Sequence, residues 1–349
     1  MAIDNSIKNL LIFFAVVLMF YLFSILAGIL LPLVLALLIA ILVQPFINFL
    51  LKKGLPKWLI LPTFSILSLA VLFGIGLIIN DTISQMADEQ SYLLSRLLMK
   101  IDGLLVWINQ TFNTKLDSTL VVSEIYKSIG EGNIPAAISG FAGGLGAFMG
   151  SFLFFSLYYV MLLAGMTNYE EYLKFVGGDR GESLVRHYDN VRKSISSYMW
   201  LKVIVSIVTA TLTYILCIIF GIKFAIFWGF MAFLWNFIPN IGSIFSAVFP
   251  VLMATIQLDS FSQIALFALI LLTILFLIGS VVEPIVMGNR LRLNTLSVLF
   301  GLVFWGYIWG IPGMILSVPL LVIMKIILER SAEFSFIARI MGFPDKVKK

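Results

Sequence analysis

One carboxylate in this chain is placed where it could do chemistry. Glu283 directly follows Gly279-Ser280-Val281-Val282 and precedes Pro284, so it lies at the end of a hydrophobic segment. Ionisable side chains inside or beside such segments are costly, which makes them default candidates for function. A partly buried carboxylate here could exchange a proton or bind a cation. The alternatives are a structural ion pair, with Arg290 as a partner, and a glutamate at the membrane interface.

Several amides accompany this carboxylate. They could present hydrogen-bonding groups to a polar substrate or an ion, or simply satisfy backbone groups that a break in a helix sets free; they are Asn236, Asn240, Asn289 and Asn294. Two lysines lie beside apolar runs, Lys202 and Lys223. Their long stems let the charged ends reach water, so we expect both to snorkel.

The sequence contains no recognisable catalytic constellation. It has one histidine, His187, and one cysteine, Cys217, so neither a multi-histidine metal cluster nor a disulfide framework can be built. There is no nucleophile elbow, zinc-protease motif or phosphate-binding Walker motif. We therefore expect a protein that is not an enzyme and that holds no cofactor and no metal.

Composition places the chain in a membrane. The sequence is 61% hydrophobic and 12% charged, with a mean hydropathy of +1.07, whereas about a quarter of the residues of a soluble domain are charged. The net charge is +5, but the basic residues form no basic face outside the membrane-flanking loops, so nucleic acid is not an expected partner. The expected partner is the lipid bilayer.

The apolar runs predict an all-α polytopic membrane protein with about five to eight membrane helices. The uninterrupted runs are Leu10–Leu31, Leu33–Leu51 (hinged to the first at Pro32), Leu59–Ile79, Leu145–Gly165, Val203–Phe220 and Phe261–Val282. The predicted domains are N-terminal membrane helices (1–80), an extramembrane amphipathic segment (81–144), a transport core with broken helices (145–328) and a cytoplasmic tail (329–349).

Residues 224–256 are apolar but interrupted. Asn236, Pro239, Asn240 and Gly242 separate two flanks of roughly 14–16 residues, each only about 21–24 Å long as a helix against a hydrocarbon core of about 30 Å. Non-helical backbone is tolerated at membrane depth where protein or a water-filled cavity surrounds it. The segment is therefore either a re-entrant hairpin or a single broken span.

Lysine and arginine positions favour the hairpin. The loop at 52–57 carries three bases and residues 167–202 carry six, which places both inside, whereas 81–144 has a net charge of −3 and lies outside. If 224–256 enters and leaves on the outer side, the basic tail also falls inside. Both termini are then cytoplasmic.

A second break has a sequence similar to that of the first. Phe227–Phe230 precedes Ile238-Pro239 and Gly242, and Phe304–Tyr307 precedes Ile311, Pro312 and Gly313, where the arms Leu296–Ile311 and Met314–Leu328 meet. In the favoured topology the two hairpins open to opposite sides, as in the inverted repeats of alternating-access transporters. Two unrelated kinks in an aromatic-rich protein are the alternative.

Residues 86–112 predict a long amphipathic helix that protrudes from the membrane. Its apolar stripe includes Leu94, Leu97, Ile101, Leu105 and Ile108. The stripe could form a collar between subunits, pack on residues 116–140, or lie on lipid. A second amphipathic stretch, Leu184–Met199, is basic and is expected to bind anionic headgroups at the inner surface.

Three motifs resemble those of the AI-2E (autoinducer-2 exporter) family, also called the PerM family. Ile238–Gly242 is similar to its IPxIG signature, Glu283–Leu291 to its xPxxxGxxL segment, and Gly310–Met314 with Ser317–Pro319 to its C-terminal block. The motifs stand in the family's order, and the resemblance covers essentially the whole chain.

The resemblance implies a multi-pass bacterial inner-membrane transporter that forms homo-oligomers, with pentamers as the expected assembly. The implied activities are export of the quorum-sensing signal autoinducer-2 and Na⁺(Li⁺)/H⁺ antiport. Because acids are scarce at depth, we favour a small polar solute over a monovalent cation coupled to protons. The expected pathway residues are Asn236, Pro239, Asn240, Gly242, Glu283, Pro284, Asn289, Arg290, Pro312 and Gly313. A membrane-organising interaction protein that works through its outer helix is the non-transport alternative.

Overall fold

The computed structural model describes residues 5–114, 117, 120–121, 123–124, 151–166, 169–239, 241–287, 293–329 and 334–342, and all regular structure in these ranges is helical. The helices are α1 (Asn5–Ile25), α2 (Ala27–Lys52), α3 (Lys57–Asp88), α4 (Gln90–Phe112), α5 (Ser151–Gly165), α6 (Tyr169–Gly177), α7 (Gly181–Ile219), α8 (Ala225–Trp235), α9 (Ile241–Gln257), α10 (Phe261–Phe276), α11 (Glu283–Met287), α12 (Thr295–Leu328) and α13 (Ser335–Met341). A π-helical turn (Leu277–Val282) joins α10 to α11.

The prediction of an all-α polytopic membrane protein is confirmed. Over the described ranges, five helical segments are long and apolar enough to cross a membrane: Ala27–Lys52, Lys57–Asp88, Tyr169–Ile219, Phe261–Val286 and Thr295–Leu328. Residues 181–202 of the predicted polar segment and most of the predicted span Val203–Phe220 form one continuous helix, α7, in which Lys202 is buried.

The hinge between the first two helices differs from the prediction. The helices meet at Leu26, and Pro32 lies inside α2 near its N-terminal end. There its ring removes only one backbone hydrogen bond, at the carbonyl of Gly28, so α2 continues through it.

Helices α8 and α9 fold back on each other, and we call residues 225–257 the first hairpin. At its open end the backbone N–H of Lys223 donates to Oε1 of Gln257 over 2.8 Å. At its tip Gly242 packs against the carbonyl of Trp235, where a Cβ atom would overlap the carbonyl oxygen. A hairpin this tight requires glycine at that position.

Helix α12 is also folded back, and we call residues 295–328 the second hairpin. Gly310 has φ of 64° and ψ of −145°, a conformation available essentially to glycine alone. Gly301 lies against the side chain of Leu321, and Gly313 against the carbonyl of Trp305. Those pairs would be far apart in a straight helix. The predicted break is confirmed, but the turn is at Gly310 rather than at Pro312-Gly313.

The two hairpins open toward opposite ends of α7. The base of the second hairpin, at Ile326 and Ile327, shares a cavity wall with His187 and Val191 near the N-terminal end of α7. The first hairpin packs on the C-terminal half of α7, where Gly229 approaches the carbonyl of Ala210. The second hairpin belongs to one hydrophobic cluster and most of the first hairpin to another, although Phe237 near the tip of the first hairpin joins the cluster of the second. Helix α7 contributes residues to both clusters.

Helix α4 holds the open end of the first hairpin. Arg96 donates to Asp259 (2.9 Å) and Lys100 to the carbonyl of Leu258 (2.6 Å), both in the loop after α9. On the other arm, Lys223 forms an ion pair with Glu89 (2.7 Å) at the start of α4. The outer helix is thus tied to both arms of the first hairpin.

Candidate functional site

A cavity of about 330 Å³ lies between the tip of the first hairpin, α7 and the end of α10. Its apolar walls come from both hairpin arms and α10. Its polar groups converge from four separate parts of the chain; they are Lys202, Asn236, Ser243, Ser280 and Glu283. An apolar cavity of a few hundred Å³ with a small set of converging polar groups is the usual form of a small-molecule site.

An ion pair forms the polar centre of this cavity. Lys202 on α7 is 1% exposed, and its Nζ donates to Oε1 of Glu283 over 2.5 Å. The Glu283 side chain is 22% exposed, so it is the more accessible member of the pair, although both line the cavity. The expectation that Lys202 snorkels to water is wrong, because its charge is neutralised inside the protein rather than at the surface.

A polar stripe runs along α7 from this pair. Lys202, Ser206, Thr209 and Thr213 are all buried, and their spacing of four, three and four residues places them on one helix face. Asn236 at the hairpin tip donates to the Ser206 hydroxyl over 2.9 Å. Our sequence analysis missed this stripe, although its helical spacing is visible in the sequence.

The turn before Glu283 is followed by a proline, which removes a backbone donor. The π-helical turn Leu277–Val282 widens the helix there, and single π turns are frequent at functional sites. Pro284 has no N–H to donate to the carbonyl one turn earlier, at Gly279 or Ser280. Both of these residues line the cavity, so the sequence places a carbonyl without its helical donor beside the carboxylate.

The structure brings together some of the predicted pathway residues. Asn236, Pro239 and Glu283 line the cavity, with Pro284 next in the chain; Gly242 shapes the hairpin tip without lining the cavity. The predicted residues Pro312 and Gly313 lie in the second hairpin and do not line this cavity. Three more lie outside the described residues: Asn240, Asn289 and Arg290.

Other predicted residues have local structural contacts. Asn294 caps the second hairpin by accepting from the Ser297 backbone N–H (2.7 Å), and its amide donates to the carbonyls of Ile340 and Gly342. Along the α4 stripe, Leu94 is buried within the chain, whereas Leu97, Ile101, Leu105 and Ile108 are half-buried. The assignment of this stripe to an oligomer interface stays a prediction.

Outside the membrane segments, Asp259 in the loop after α9 is electrostatically perturbed. The hydrogen bond and charge of Arg96, together with Lys100, lower the pKa of Asp259 below its ordinary value of 3.8. Through these contacts Asp259 joins the loop after α9 to the outer helix.

Comparison with known proteins agrees with this architecture. Residues 10–333 match the sequence profile described as "AI-2E family transporter". A Haemophilus influenzae protein named as a transport protein is 31% identical over 306 residues, which cover 86% of each chain. The Escherichia coli AI-2 transport protein TqsA is 38% identical over 149 residues, or 43% of each chain. The Escherichia coli protein YhhT, also named for transport, is 35% identical over 150 residues, or 43% of each chain.

The profile match covers most of the chain. The chain belongs to the AI-2E family of transporters.

Proposed function

We propose that this protein moves a small polar solute, such as autoinducer-2, out across the bacterial inner membrane through the cavity at the tip of the first hairpin. The buried Lys202–Glu283 pair in that cavity is the observation that carries the proposal. A buried ion pair is often no more stabilising than apolar residues of the same volume. Its presence beside a cavity within a membrane protein therefore supports a functional role.

Charge and size both favour a small solute without a large net charge. The lysine and the glutamate neutralise each other, and the other polar groups in the cavity are neutral amides and hydroxyls. Such groups suit a hydroxyl-rich furanone. A volume of about 330 Å³ corresponds to roughly ten water molecules, which is enough for a small metabolite.

The two oppositely opening hairpins supply a means of alternating access. In the proposed topology both are re-entrant, the first from the outer side and the second from the inner side, and both termini are cytoplasmic. Small movements of the first hairpin against α7 and α10 would open the cavity to one side at a time. Assembly as a homo-oligomer, with α4 at the subunit interface, is part of the same proposal.

Cation–proton antiport is the second candidate. The observation that favours it is the carboxylate of Glu283 next to a carbonyl that lacks its helical donor, since broken helices in transporters coordinate sodium through such carbonyls. In that mechanism a cation would displace Lys202 from Glu283, and the proton would be exchanged at the same carboxylate.

The test is flux in proteoliposomes with an imposed pH gradient, measuring release of preloaded autoinducer-2 and uptake of sodium. The key variant is the double substitution Lys202→Met with Glu283→Gln, which removes both charges and leaves neither one unpaired. Glu329→Gln is the matched control, because Glu329 also faces a lysine (Lys325, 3.7 Å) but lies outside the cavity.

We expect wild type and Glu329→Gln to release autoinducer-2 and the double variant to release it at least about tenfold more slowly, the equivalent of about 1.4 kcal/mol in the barrier. Sodium uptake by wild type that vanishes with the double variant would replace solute export by antiport. If wild type transports neither, and deletion of 81–140 alone abolishes the cellular role, the interaction-protein alternative is correct.

A further inference from the structure

A second polar cavity lies between α2 and α7, apart from the transport cavity. Its volume is about 440 Å³. It is lined by two amides, two bases and a buried serine; they are Gln44, Asn48, Arg192, Lys193 and Ser196. None of these residues takes part in the proposed solute pathway, so this cavity calls for its own explanation.

Gln44 is the most informative residue in it. The side chain is 3% exposed, and its Nε2 donates to the carbonyl of Met166 over 3.4 Å. The other end of the amide, Oε1, is buried and has no hydrogen-bond partner among the described residues. A buried acceptor without a donor is costly, so this site is suited to a ligand that brings a donor.

The two bases give the cavity one net positive charge. Arg192 is held by Asp189 (3.0 Å) and lies over the ring of Tyr169, so its guanidinium is fixed in position. Lys193 is exposed at the mouth of the cavity and forms no salt bridge with any residue that the structure describes. A lysine ammonium beside a fixed guanidinium is suited to a phosphate group.

The cavity lies near the basic end of α2. Asn48 is one helical turn, about 6 Å, before Lys52. Trp200 crosses from α7 to donate to the carbonyl of Leu42 over 2.7 Å and packs on Phe46. Tryptophan and flanking lysines are typical of the interface between hydrocarbon and headgroups, so the cavity is at a depth that a lipid headgroup reaches.

We propose that this cavity binds a phosphate-bearing headgroup that also carries a hydrogen-bond donor. The phosphate lies against Lys193 and Arg192, and an ammonium or hydroxyl of the same headgroup donates to Oε1 of Gln44. Phosphatidylethanolamine and phosphatidylglycerol meet both requirements. Phosphatidylcholine carries the phosphate but no donor. This is a defined binding site, unlike the diffuse attraction to anionic headgroups expected for a basic helix face.

The test is native mass spectrometry of the full-length protein, purified without lipid and titrated with single phospholipids. Phosphatidylethanolamine against phosphatidylcholine is the decisive comparison, because the two headgroups have the same net charge and differ in the donor. The variants are Lys193→Gln and Gln44→Met. Lys53→Gln is the matched control, since Lys53 is an exposed lysine at the same end of the bundle that does not line the cavity.

We expect phosphatidylethanolamine to bind at least about tenfold more tightly than phosphatidylcholine, a difference of about 1.4 kcal/mol. Gln44→Met should remove most of this preference, Lys193→Gln should weaken the binding of both lipids, and Lys53→Gln should leave affinity and preference intact. Glycerol 3-phosphate and inorganic phosphate are titrated in parallel. Variant-dependent binding of glycerol 3-phosphate as strong as that of the lipids would assign the site to a soluble phosphate ester instead.

Equal binding of the two lipids, or equal weakening by Lys53→Gln and Lys193→Gln, would overturn the proposal. Lys193 is exposed, so its substitution is not expected to disturb the fold. An unchanged unfolding midpoint of that variant without lipid checks this point, and the test therefore does not depend on the buried Gln44→Met.

Discussion

The first and second hairpins close in the same way, with a glycine packed against the carbonyl oxygen of a tryptophan seven or eight residues earlier: Gly242 against Trp235 and Gly313 against Trp305. Their surroundings differ. The first tip faces the cavity with the Lys202–Glu283 pair. The second hairpin is set among aromatic rings, where Trp305 stacks on Phe23.

The comparison separates two uses of one backbone geometry. In the second hairpin the turn lets apolar helices pack tightly, and Trp309 donates to the carbonyl of Phe23 to fix it against α1. In the first hairpin the turn places the polar side chains of Asn236 and Ser243 at the wall of a cavity. We therefore expect the two hairpins to respond alike to changes in their backbone and differently to changes in charge.

The largest effect is expected from Gly242→Ala and Gly313→Ala. In both, the new methyl would overlap a backbone oxygen, which cannot move aside as a flexible side chain can. Each should lose about 3 kcal/mol or more of stability, at the upper end of overpacking costs. The measurement is the thermal unfolding midpoint in detergent.

Gly103→Ala in α4 is the control for these glycines, because nothing lies within 4 Å of its added Cβ atom. It should leave the midpoint unchanged or raise it slightly, since alanine is the better helix former. A midpoint for Gly242→Ala or Gly313→Ala equal to that of the control would show that the hairpin in question is not closed as described.

The next largest loss of stability is expected from removing a charge beside the first hairpin. Glu283→Gln leaves the ammonium of Lys202, 1% exposed, without its counter-charge, and removing one member of a buried pair costs about 3–5 kcal/mol. Lys202→Met leaves Glu283, which is 22% exposed and can be solvated from the cavity, so it should cost less. The double variant should recover most of the loss.

Thermal unfolding of the three proteins in one detergent measures this order. The prediction fails if Glu283→Gln is as stable as wild type, because Lys202 would then have another route to solvent or another partner. Trp305→Phe in the second hairpin serves as the comparison: it removes no charge, and we expect a smaller loss than for Glu283→Gln.

How much of this arrangement could be read from the sequence depends on the distance between the residues involved. Both breaks were predictable because Pro, Gly and Asn act on the local backbone, and Glu283 was conspicuous beside Pro284. Lys202 was assigned to the surface because its partner is 81 residues away and nothing local reveals the pairing. Its stripe with Ser206, Thr209 and Thr213 was a readable signal, since apolar helices rarely carry polar groups at helical spacing.

The position of the second turn could not be predicted for a different reason. Gly310, Pro312 and Gly313 are all plausible sites for a break, and only packing against the neighbouring helices decides among them. Proline is well tolerated in the first turn of a helix, so Pro312 begins the second arm while Gly310 takes the positive φ.

The smallest predicted effect concerns the open ends of the hairpins, which are held by different forces. Charged groups hold the first one: Arg96 and Lys100 to the loop containing Asp259, and Lys223 to Glu89. Neutral groups hold the second: Asn294 bonds to backbone carbonyls near Met341. Acid should therefore loosen the first open end and leave the second one in place.

The direction of this pH effect follows from Asp259, whose pKa is lowered in the folded protein by Arg96. A carboxylate with a lowered pKa contributes stability above its ordinary value of 3.8, and this contribution is lost as the pH falls through the lowered pKa. Hydrogen–deuterium exchange at pH 7 and below about pH 4, corrected for intrinsic exchange rates, would report both open ends in one sample. Faster exchange in α4 and at residues 223 and 257–259, without change at 294–297, is the expected result. Asp259→Asn should give faster exchange in α4 and at residues 257–259 at pH 7, because it removes that carboxylate without acid, and it should spare residue 223, since the Lys223–Glu89 pair remains. Equal loosening at both open ends would mean that acid acts on the fold as a whole and not through these ion pairs.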